Sequence, residues 1–255
     1  MKNFIEITEL KKVFGNGEDE VHAFGPATLN INAGEFVSVL GPSGCGKSTL
    51  MLMVAGLLDS TSGKVEFENK LVNGPKTDIG IMFQDNTLVP WRTVKGNIEL
   101  QLELRGFNLK DYQEQINNIL KSVSLEDFAE RFPNELSGGM QQRAAFCQAM
   151  IHDPKIILLD EPLGKLDAMT REKIRADFQK LWMVKKPTVI FVTHSIEEAV
   201  QLSSRVILIT PRPGKIDREM KIDLPYPRDL KVKRSPKFIE YVNSIQEVFH
   251  KYGVI

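Results

Sequence analysis

The first part of the chain carries short runs in which apolar and polar side chains alternate, at residues 4–8, 21–24, 28–31 and 64–67, punctuated by Gly15, Gly17, Gly25, Gly34, Gly63 and Gly74. A period of two turns alternate side chains to opposite faces, so these runs predict strands joined by turns, an antiparallel β layer. Phe36-Val-Ser-Val-Leu40 is different, because its near-continuous apolar character predicts a strand buried on both faces. The same character returns at 79–84, 155–160 and 188–193. Between 79–84 and 155–160, residues 93–106, 109–123, 125–129 and 137–151 are polar with apolar positions three and four apart, as in Ile116, Ile119, Leu120 and Val123. That spacing predicts helices, inserted as a block between core strands of an α/β fold. Beyond Thr210 comes a proline-rich connector, then Ser235 as an N-cap, Pro236 in the first turn and a stripe of Phe238, Val242, Ile245 and Phe249. These predict an amphipathic closing helix packed on the core. The cations before and at its start, Arg228, Lys231, Lys233, Arg234 and Lys237, read as a solvated charged face, with binding to anionic lipid headgroups as the alternative.

Composition narrows the picture. A chain of 255 residues suits one domain with subdomains. Its 33 basic and 33 acidic side chains cancel, leaving no electrostatic footprint for sequence-independent nucleic-acid binding, so no nucleic-acid partner is expected. The apolar runs fall far short of the roughly 20 residues a membrane helix needs. The first residues alternate like a strand and include acids where a secretion signal has its apolar stretch, so a cytoplasmic location is expected. Cys45 and Cys147 have no metal-ligand spacing and read as reduced thiols.

Two segments carry candidate phosphate chemistry. Gly41-Pro-Ser-Gly-Cys-Gly-Lys-Ser48 follows the buried strand and opens a helix, matching G-x-x-x-x-G-K-[ST]. In that pattern glycines allow backbone N–H groups to wrap phosphates, Lys47 bridges the outer ones and the Ser48 hydroxyl binds Mg²⁺. Leu136-Ser-Gly-Gly-Met140 starts a helix, where Ser137, Gly138 and Gly139 offer a hydroxyl and N–H groups. One nucleotide does not need both segments from a single molecule, which points to a dimeric ATPase. At the end of the 155–160 strand stand two adjacent carboxylates, Asp160 as a partner for Mg²⁺ and Glu161 as the base that orients the attacking water. The 188–193 strand ends in His194, placed for a γ-phosphate contact, and Ser195 with Glu198 has the spacing of a capping box.

Taken in order, residues 41–48, Gln84, Leu136-Ser-Gly-Gly-Met-Gln-Gln142, residues 156–161, Leu166-Asp167 and His194 resemble the motifs of an ATP-binding cassette, over almost the full chain. The L-S-G-G segment between Gln84 and the carboxylates separates this family from kinases, GTPases and helicases. The resemblance implies an α/β P-loop NTPase core, RecA-like, with an antiparallel β subdomain and a helical insertion. It implies an ATP-binding domain over 1–220 with the insertion at about 88–151, and a closing connector and helix over 221–255. ATP and Mg²⁺ would be held by Gly41, Pro42, Ser43, Gly44, Cys45, Gly46, Lys47, Ser48 and Thr49, with Ser48, Gln84 and Asp160 toward the metal. Phe14 would stack on adenine, although an alternating strand could equally bury it. Ser137, Gly138 and Gly139 would meet the γ-phosphate of ATP held by a second copy in a head-to-tail dimer, and Asp167 would couple the two composite sites. Glu161, His194, Lys47 and Gln84 would carry the hydrolysis.

Residues 83–94, with Pro211-Arg-Pro-Gly-Lys-Ile216 and Asp223-Leu-Pro-Tyr-Pro-Arg228, look like the ATPase subunits of nitrate, sulfonate, taurine and bicarbonate importers. That implies a separate transmembrane permease, met at a groove lined by Leu88, Pro90 and Trp91 unless Trp91 is tucked among the helices, and an extracellular solute-binding protein acting indirectly. The subunit would lie peripherally on the cytoplasmic face of the membrane. A soluble cassette acting on nucleic acid or ribosomes is the alternative. The departures from the family pattern are Met140, Lys165 and Gln148, the last where related helices often place an arginine.

Overall fold

The computed structural model describes residues 4–85, 87–164 and 166–254; Lys165 lies outside them. Its strands are β1 (Ile5–Phe14), β2 (Val21–Ile31), β3 (Phe36–Leu40), β4 (Ser62–Phe67), β5 (Lys70–Leu71), β6 (Ile79–Met82), β7 (Ile156–Asp160), β8 (Thr188–Thr193), β9 (Arg205–Ile209) and β10 (Ile216–Lys221). Its helices are α1 (Lys47–Val54), α2 (Val94–Glu103), α3 (Gln113–Ser122), α4 (Gly138–Met150), α5 (Ala168–Lys185), α6 (Ile196–Leu202), α7 (Leu230–Lys233) and α8 (Pro236–Lys251). The chain divides into two compact units, residues 1–76 with 188–255 and residues 77–187.

In the first unit, β1 pairs antiparallel with β2 and β4, giving the order β2-β1-β4-β5. The runs expected at 21–24 and 28–31 are one strand. Shifts of register between Ile7 and Val13 let β1 follow β2 past Gly25 and Pro26, with pairing at Leu10↔Ala27 and again at Lys12↔Phe24. Every residue of β3 is buried, as its apolar run predicts, between β8 and β9, both parallel to it. The antiparallel β10 covers the other side of β9. Beneath the end of β3, Leu40 packs with Val206 and Leu208 of β9, Ala199 and Val200 of α6, and Phe238, Ile245, Val248 and Phe249 of α8. The closing helix therefore forms with the predicted cap, Ser235 accepting from the Phe238 N–H at 3.3 Å, and buries the predicted stripe with Val242 partly covered. Each such side chain contributes about 1.5–3 kcal/mol of burial.

Arg228 corrects the reading of a solvated basic face. It is only 2 % exposed and donates to the carbonyls of Val200 at 2.7 Å, Ser203 at 2.6 Å, Ile222 at 3.2 Å and Leu224 at 3.2 Å. The Tyr226 ring lies 4.1 Å from its guanidinium carbon. The carbonyls of Val200 and Ser203 come from the end of α6, where the helix presents negative dipole and unsatisfied acceptors, so a cation is favoured there. Burial draws the Arg228 pKa below the ordinary guanidinium value. Lys237, by contrast, is exposed and pairs with Asp223 at 2.8 Å.

In the second unit, β6 and β7 run parallel. The 109–123 segment splits into a 3-10 turn, Leu109–Tyr112, and α3, whose Ile116, Ile119 and Leu120 are buried. Ser124, at φ 55, ends the helix. The helix expected at 125–129 is a single 3-10 turn, Glu126–Phe128, because so short a segment cannot offset the cost of helix nucleation. Phe146 of α4 stacks on Phe178 of α5 with centroids 4.0 Å apart. Cys147 lies buried on α4, and burial pushes its thiol up to about 12, so it stays protonated at neutral pH.

Replacing Arg228 by leucine would leave several buried carbonyls without a donor. The Arg228→Leu variant is expected to lose about 3 kcal/mol of stability in urea unfolding, whereas Lys231→Leu, at an exposed position, should change it by less than about 0.5 kcal/mol.

Candidate functional site

The first unit contains the candidate phosphate loop, residues 41–48. Leu40 anchors it in the core, and Gly46, at φ 94, hands the chain to α1 from a left-handed conformation. A Cβ on Gly46 would collide with the Ala23 carbonyl oxygen, so this position takes only glycine. Ser43, Gly44 and Ser48 are exposed on the loop's rim, while Cys45 and Lys47 are buried. A Cβ built on Gly44 would meet nothing within 4 Å, so the rim is open enough for a phosphate group. The Lys47 ammonium donates to the Gly41 and Pro42 carbonyls at 2.9 Å each, placing a positive charge inside the loop. The donor set, backbone N–H groups at a helix N-terminus with one ammonium and the Ser48 and Thr49 hydroxyls, fits a polyphosphate.

Two further candidates belong to this unit. Phe14 ends β1, is 42 % exposed and carries the Lys12 ammonium 5.0 Å from its ring centroid, so it stays out of the core and keeps surface for an aromatic base. His194 is exposed just after β8 and is fixed on both sides. Thr193 Oγ1 donates to Glu198 Oε2 at 2.7 Å and accepts from the Ser195 N–H at 3.0 Å, while Ser195 Oγ accepts from the Glu198 N–H at 3.4 Å. The capping box is thus only half formed. Ser195 caps α6 as expected, but the Glu198 carboxylate turns to the Thr193 hydroxyl instead of the Ser195 N–H, because Thr193 lies buried beside it.

The second unit holds the remaining candidates. Asp160, 7 % exposed, ends β7, and Glu161 follows it at φ 42, a left-handed conformation that non-glycine residues seldom adopt. Gln84 is exposed two residues beyond β6. Ser137 caps α4, its Oγ accepting from the Met140 N–H at 3.4 Å, with Gly138 exposed at the first turn. A Cβ on Gly139 would collide with the Thr170 side chain, so the second glycine also lets α4 pack tightly on α5. Asp167 caps α5 by accepting from the N–H groups of Met169 at 3.1 Å and Thr170 at 3.0 Å. Hydrogen bonds from Thr170, its side chain first, hold the Asp167 carboxyl below the usual carboxylate range.

A surface groove of about 740 Å³ in the same unit is lined by Pro90, Trp91, Asp127, Glu130, Arg131, Phe132, Asn134 and Glu135. Trp91 is 77 % exposed, so it is not tucked among the helices. Leu88 does not line the groove; it is buried as part of the core, a correction to its expected place. Arg131 pairs with Glu135 at 3.0 Å, leaving the lining with the net negative charge of Asp127 and Glu130.

The groove loop is held by a residue the motifs do not include. Asn97, wholly buried on α2, accepts from the Val89 N–H at 2.7 Å and donates to the carbonyls of Val89 at 3.1 Å, Arg92 at 3.0 Å and Thr93 at 3.0 Å. Gln148, near the end of α4, donates to the Asn97 carbonyl at 3.0 Å. The signal was present: Asn97 shares a helix face with the buried Val94, Ile98 and Leu102, and a polar residue in such a stripe needs partners. Gln148, the departure from arginine, uses its amide for this link.

The family model described as "ABC transporter" matches residues 24–164, more than half of the chain. The chain belongs to the ABC transporter family. Within it, this ABC ATPase is 44 % identical over 224 residues to the taurine import ATP-binding protein of Jannaschia sp. (strain CCS1), covering 86 % of this chain and 84 % of that one. It is 39 % identical over 250 residues to the nitrate import ATP-binding protein of Synechocystis sp. (strain ATCC 27184 / PCC 6803 / Kazusa), covering 96 % and 94 %. Among solved structures, a dimeric ATP-binding cassette in a post-hydrolysis state with ADP and Pi bound superposes with a TM-score of 0.75 at 35 % identity, covering 86 % of this chain and 98 % of that one. The ABC ATPase fold, ATP binding and ATP hydrolysis follow for this chain, and the alternative of a cassette acting on nucleic acid or ribosomes is not favoured.

Removal of the Asn97 amide should release the groove loop without touching the phosphate loop. In Asn97→Ala, amide hydrogen exchange at residues 89–93 is expected to accelerate about tenfold or more, for a loss of about 2 kcal/mol locally. Unchanged exchange there would show that the loop is held by other contacts.

Proposed function

We propose that this ABC ATPase is the nucleotide-binding subunit of an importer for a small anion of the nitrate, sulfonate, taurine or bicarbonate kind, working from the cytoplasmic face of the membrane on a separate permease. The observation that carries it is the extended similarity to taurine and nitrate import ATP-binding proteins, which runs over at least 86 % of the chain. No helix among the described residues is long and apolar enough to cross a membrane, which agrees with a peripheral subunit that needs a membrane-spanning partner.

Residues 1–220 form the ATP-binding domain, with 88–151 as the helical insertion and 221–255 as the closing segment. Residues 41–49 hold the phosphates through backbone N–H groups, Lys47 and the Ser48 and Thr49 hydroxyls, and Phe14 takes the adenine. Ser48, Gln84 and Asp160 hold Mg²⁺, whose charge would offset that building up on the phosphate oxygens. Glu161 accepts the proton of the attacking water, while Lys47 and His194 donate toward the γ-phosphate. What assigns Asp160, Glu161 and Gln84 to the same nucleotide as the loop is the family's order of motifs. Ser137, Gly138, Gly139 and Asp167 complete the site of a second copy in a head-to-tail dimer. The groove at Pro90 and Trp91 receives the permease, and its negative lining favours a segment with a basic residue beside an apolar one. A solute-binding protein outside the cell acts through that permease.

The test is ATP hydrolysis with Mg²⁺ as a function of protein concentration, beside Glu161→Gln analysed for dimer formation. Hydrolysis rising faster than linearly is expected, and the variant should lose about 10²-fold or more in rate while forming a dimer with ATP. Linear hydrolysis that survives the substitution would refute both the base and the composite site.

A further inference from the structure

The turn between β9 and β10, within Pro211-Arg-Pro-Gly-Lys-Ile216, lies against the back of the phosphate loop. Gly214, buried in that turn, sits so close to the Cys45 carbonyl that a Cβ would collide with it. The Gly214 carbonyl accepts from the Gly25 N–H at 2.8 Å, and Gly214 forms a bridge with Phe24 of β2. On the neighbouring residue of the loop, a Cβ on Gly46 would likewise collide with the Ala23 carbonyl. At the loop's start, a Cβ on Gly41 would come within 3.0 Å of the Ile209 carbonyl oxygen and 3.1 Å of the Ile209 Cβ. The loop is therefore backed by β2 at residues 23–25 and by the β9–β10 hairpin at Ile209 and Gly214. The hairpin closes on itself through Thr210: its N–H donates to the Lys215 carbonyl at 2.9 Å, its Oγ1 accepts from the Lys215 N–H at 3.0 Å and donates to the Pro213 carbonyl at 3.1 Å.

We propose that the 210–216 turn is a brace that fixes the curvature of the phosphate loop, and that Gly214 is a positioning residue for ATP binding, acting through the peptide of Cys45. The inference rests on residues 41–48 being the loop that binds ATP. No side chain of the turn needs to reach the nucleotide. The turn acts because the Cys45–Gly46 peptide can hold its N–H outward only if its carbonyl side is packed from behind, and here that packing is backbone against backbone. Gly214 has no positive φ, so alanine there adds a methyl group without backbone strain and displaces the Cys45 peptide by steric contact alone.

Gly214→Ala and Thr210→Val, in the full chain, would be compared with wild type by calorimetric titration of ATP and of ADP, at a temperature well below the unfolding midpoint of each. There a loss of global stability alone leaves affinity unchanged. Gly214→Ala is expected to weaken ATP and ADP together by about tenfold or more, and Thr210→Val, which loosens the turn without crowding the loop, by about threefold. If Gly214→Ala does not fold, Thr210→Val decides. Affinities within about twofold of wild type in every folded variant would overturn the inference while leaving ATP binding by the loop intact. A wild-type chain with no affinity for ATP would overturn the reading of the loop, and the brace with it.

Discussion

A loop that binds phosphate through its own backbone must present N–H groups to solvent while its carbonyls and its inner side chains are buried, and this requires close packing behind it. Here the requirement is met by contacts that leave no space for a Cβ. Gly46 lies against the Ala23 carbonyl, and Cys45 is buried beneath the rim formed by Ser43, Gly44 and Ser48. Two of the inward carbonyls, those of Gly41 and Pro42, receive the Lys47 ammonium. The floor is the wholly buried β3, whose last residue, Leu40, belongs to the cluster closed by α8. The C-terminal helix is thereby connected to the loop through apolar packing, although it carries none of the chemistry. Donors held in place before a ligand arrives need little reorganisation on binding, which is where the free-energy gain of such a site lies.

The same structure relies on buried polar side chains where irregular backbone must be enclosed. Asn97 satisfies an N–H and three carbonyls of the 89–93 segment, and Gln148 satisfies the carbonyl of Asn97 in turn. Arg228 does the corresponding work for the end of α6 and the 222–224 segment. In both places a loop lacks a regular ladder, and a buried side chain with several donors replaces the missing backbone partners. Neither residue adds much apolar burial. Their contribution is to make one loop conformation far more stable than its alternatives, and for Asn97 that loop carries the exposed Trp91.

The parts of this fold that depend on neighbouring residues were legible in the sequence. Continuous apolar character located β3 and β8, three-and-four spacing located α2, α3 and α4, and Ser137, Ser195 and Ser235 were recognisable as caps. The placement of residues 41–48 between a buried strand and a helix was readable because glycine, lysine and serine at fixed spacing have few other uses there. What was not legible depends on distant partners. Arg228 looked like one more surface cation because two of its acceptors, the Ser203 and Val200 carbonyls, are 25 and 28 residues away, and Leu88 looked like groove lining because nothing local shows that it is buried. The single strand β2 was divided in two because Gly25 and Pro26 are turn residues by local rules, and only pairing with β1 carries the strand through them.

The conformation of Glu161 bears on its use independently of any motif. Among the described residues, the other non-glycine positions with positive φ are Glu9, at a shift of register in β1, Glu68 and Asn69 in the β4–β5 hairpin, Ser124 and Lys186 at helix ends, and Asp153 in the turn after α4. A left-handed residue in those places ends an element, turns the chain or accompanies a bulge. Glu161, at φ 42, likewise ends β7 and opens a turn, its carbonyl accepting from the Gly164 N–H at 3.2 Å. Glycine would hold that conformation at lower cost, by about 1 kcal/mol. A glutamate at a turn position that glycine would occupy at lower cost fits the role proposed for its carboxylate, at the strand end where Asp160 supplies another.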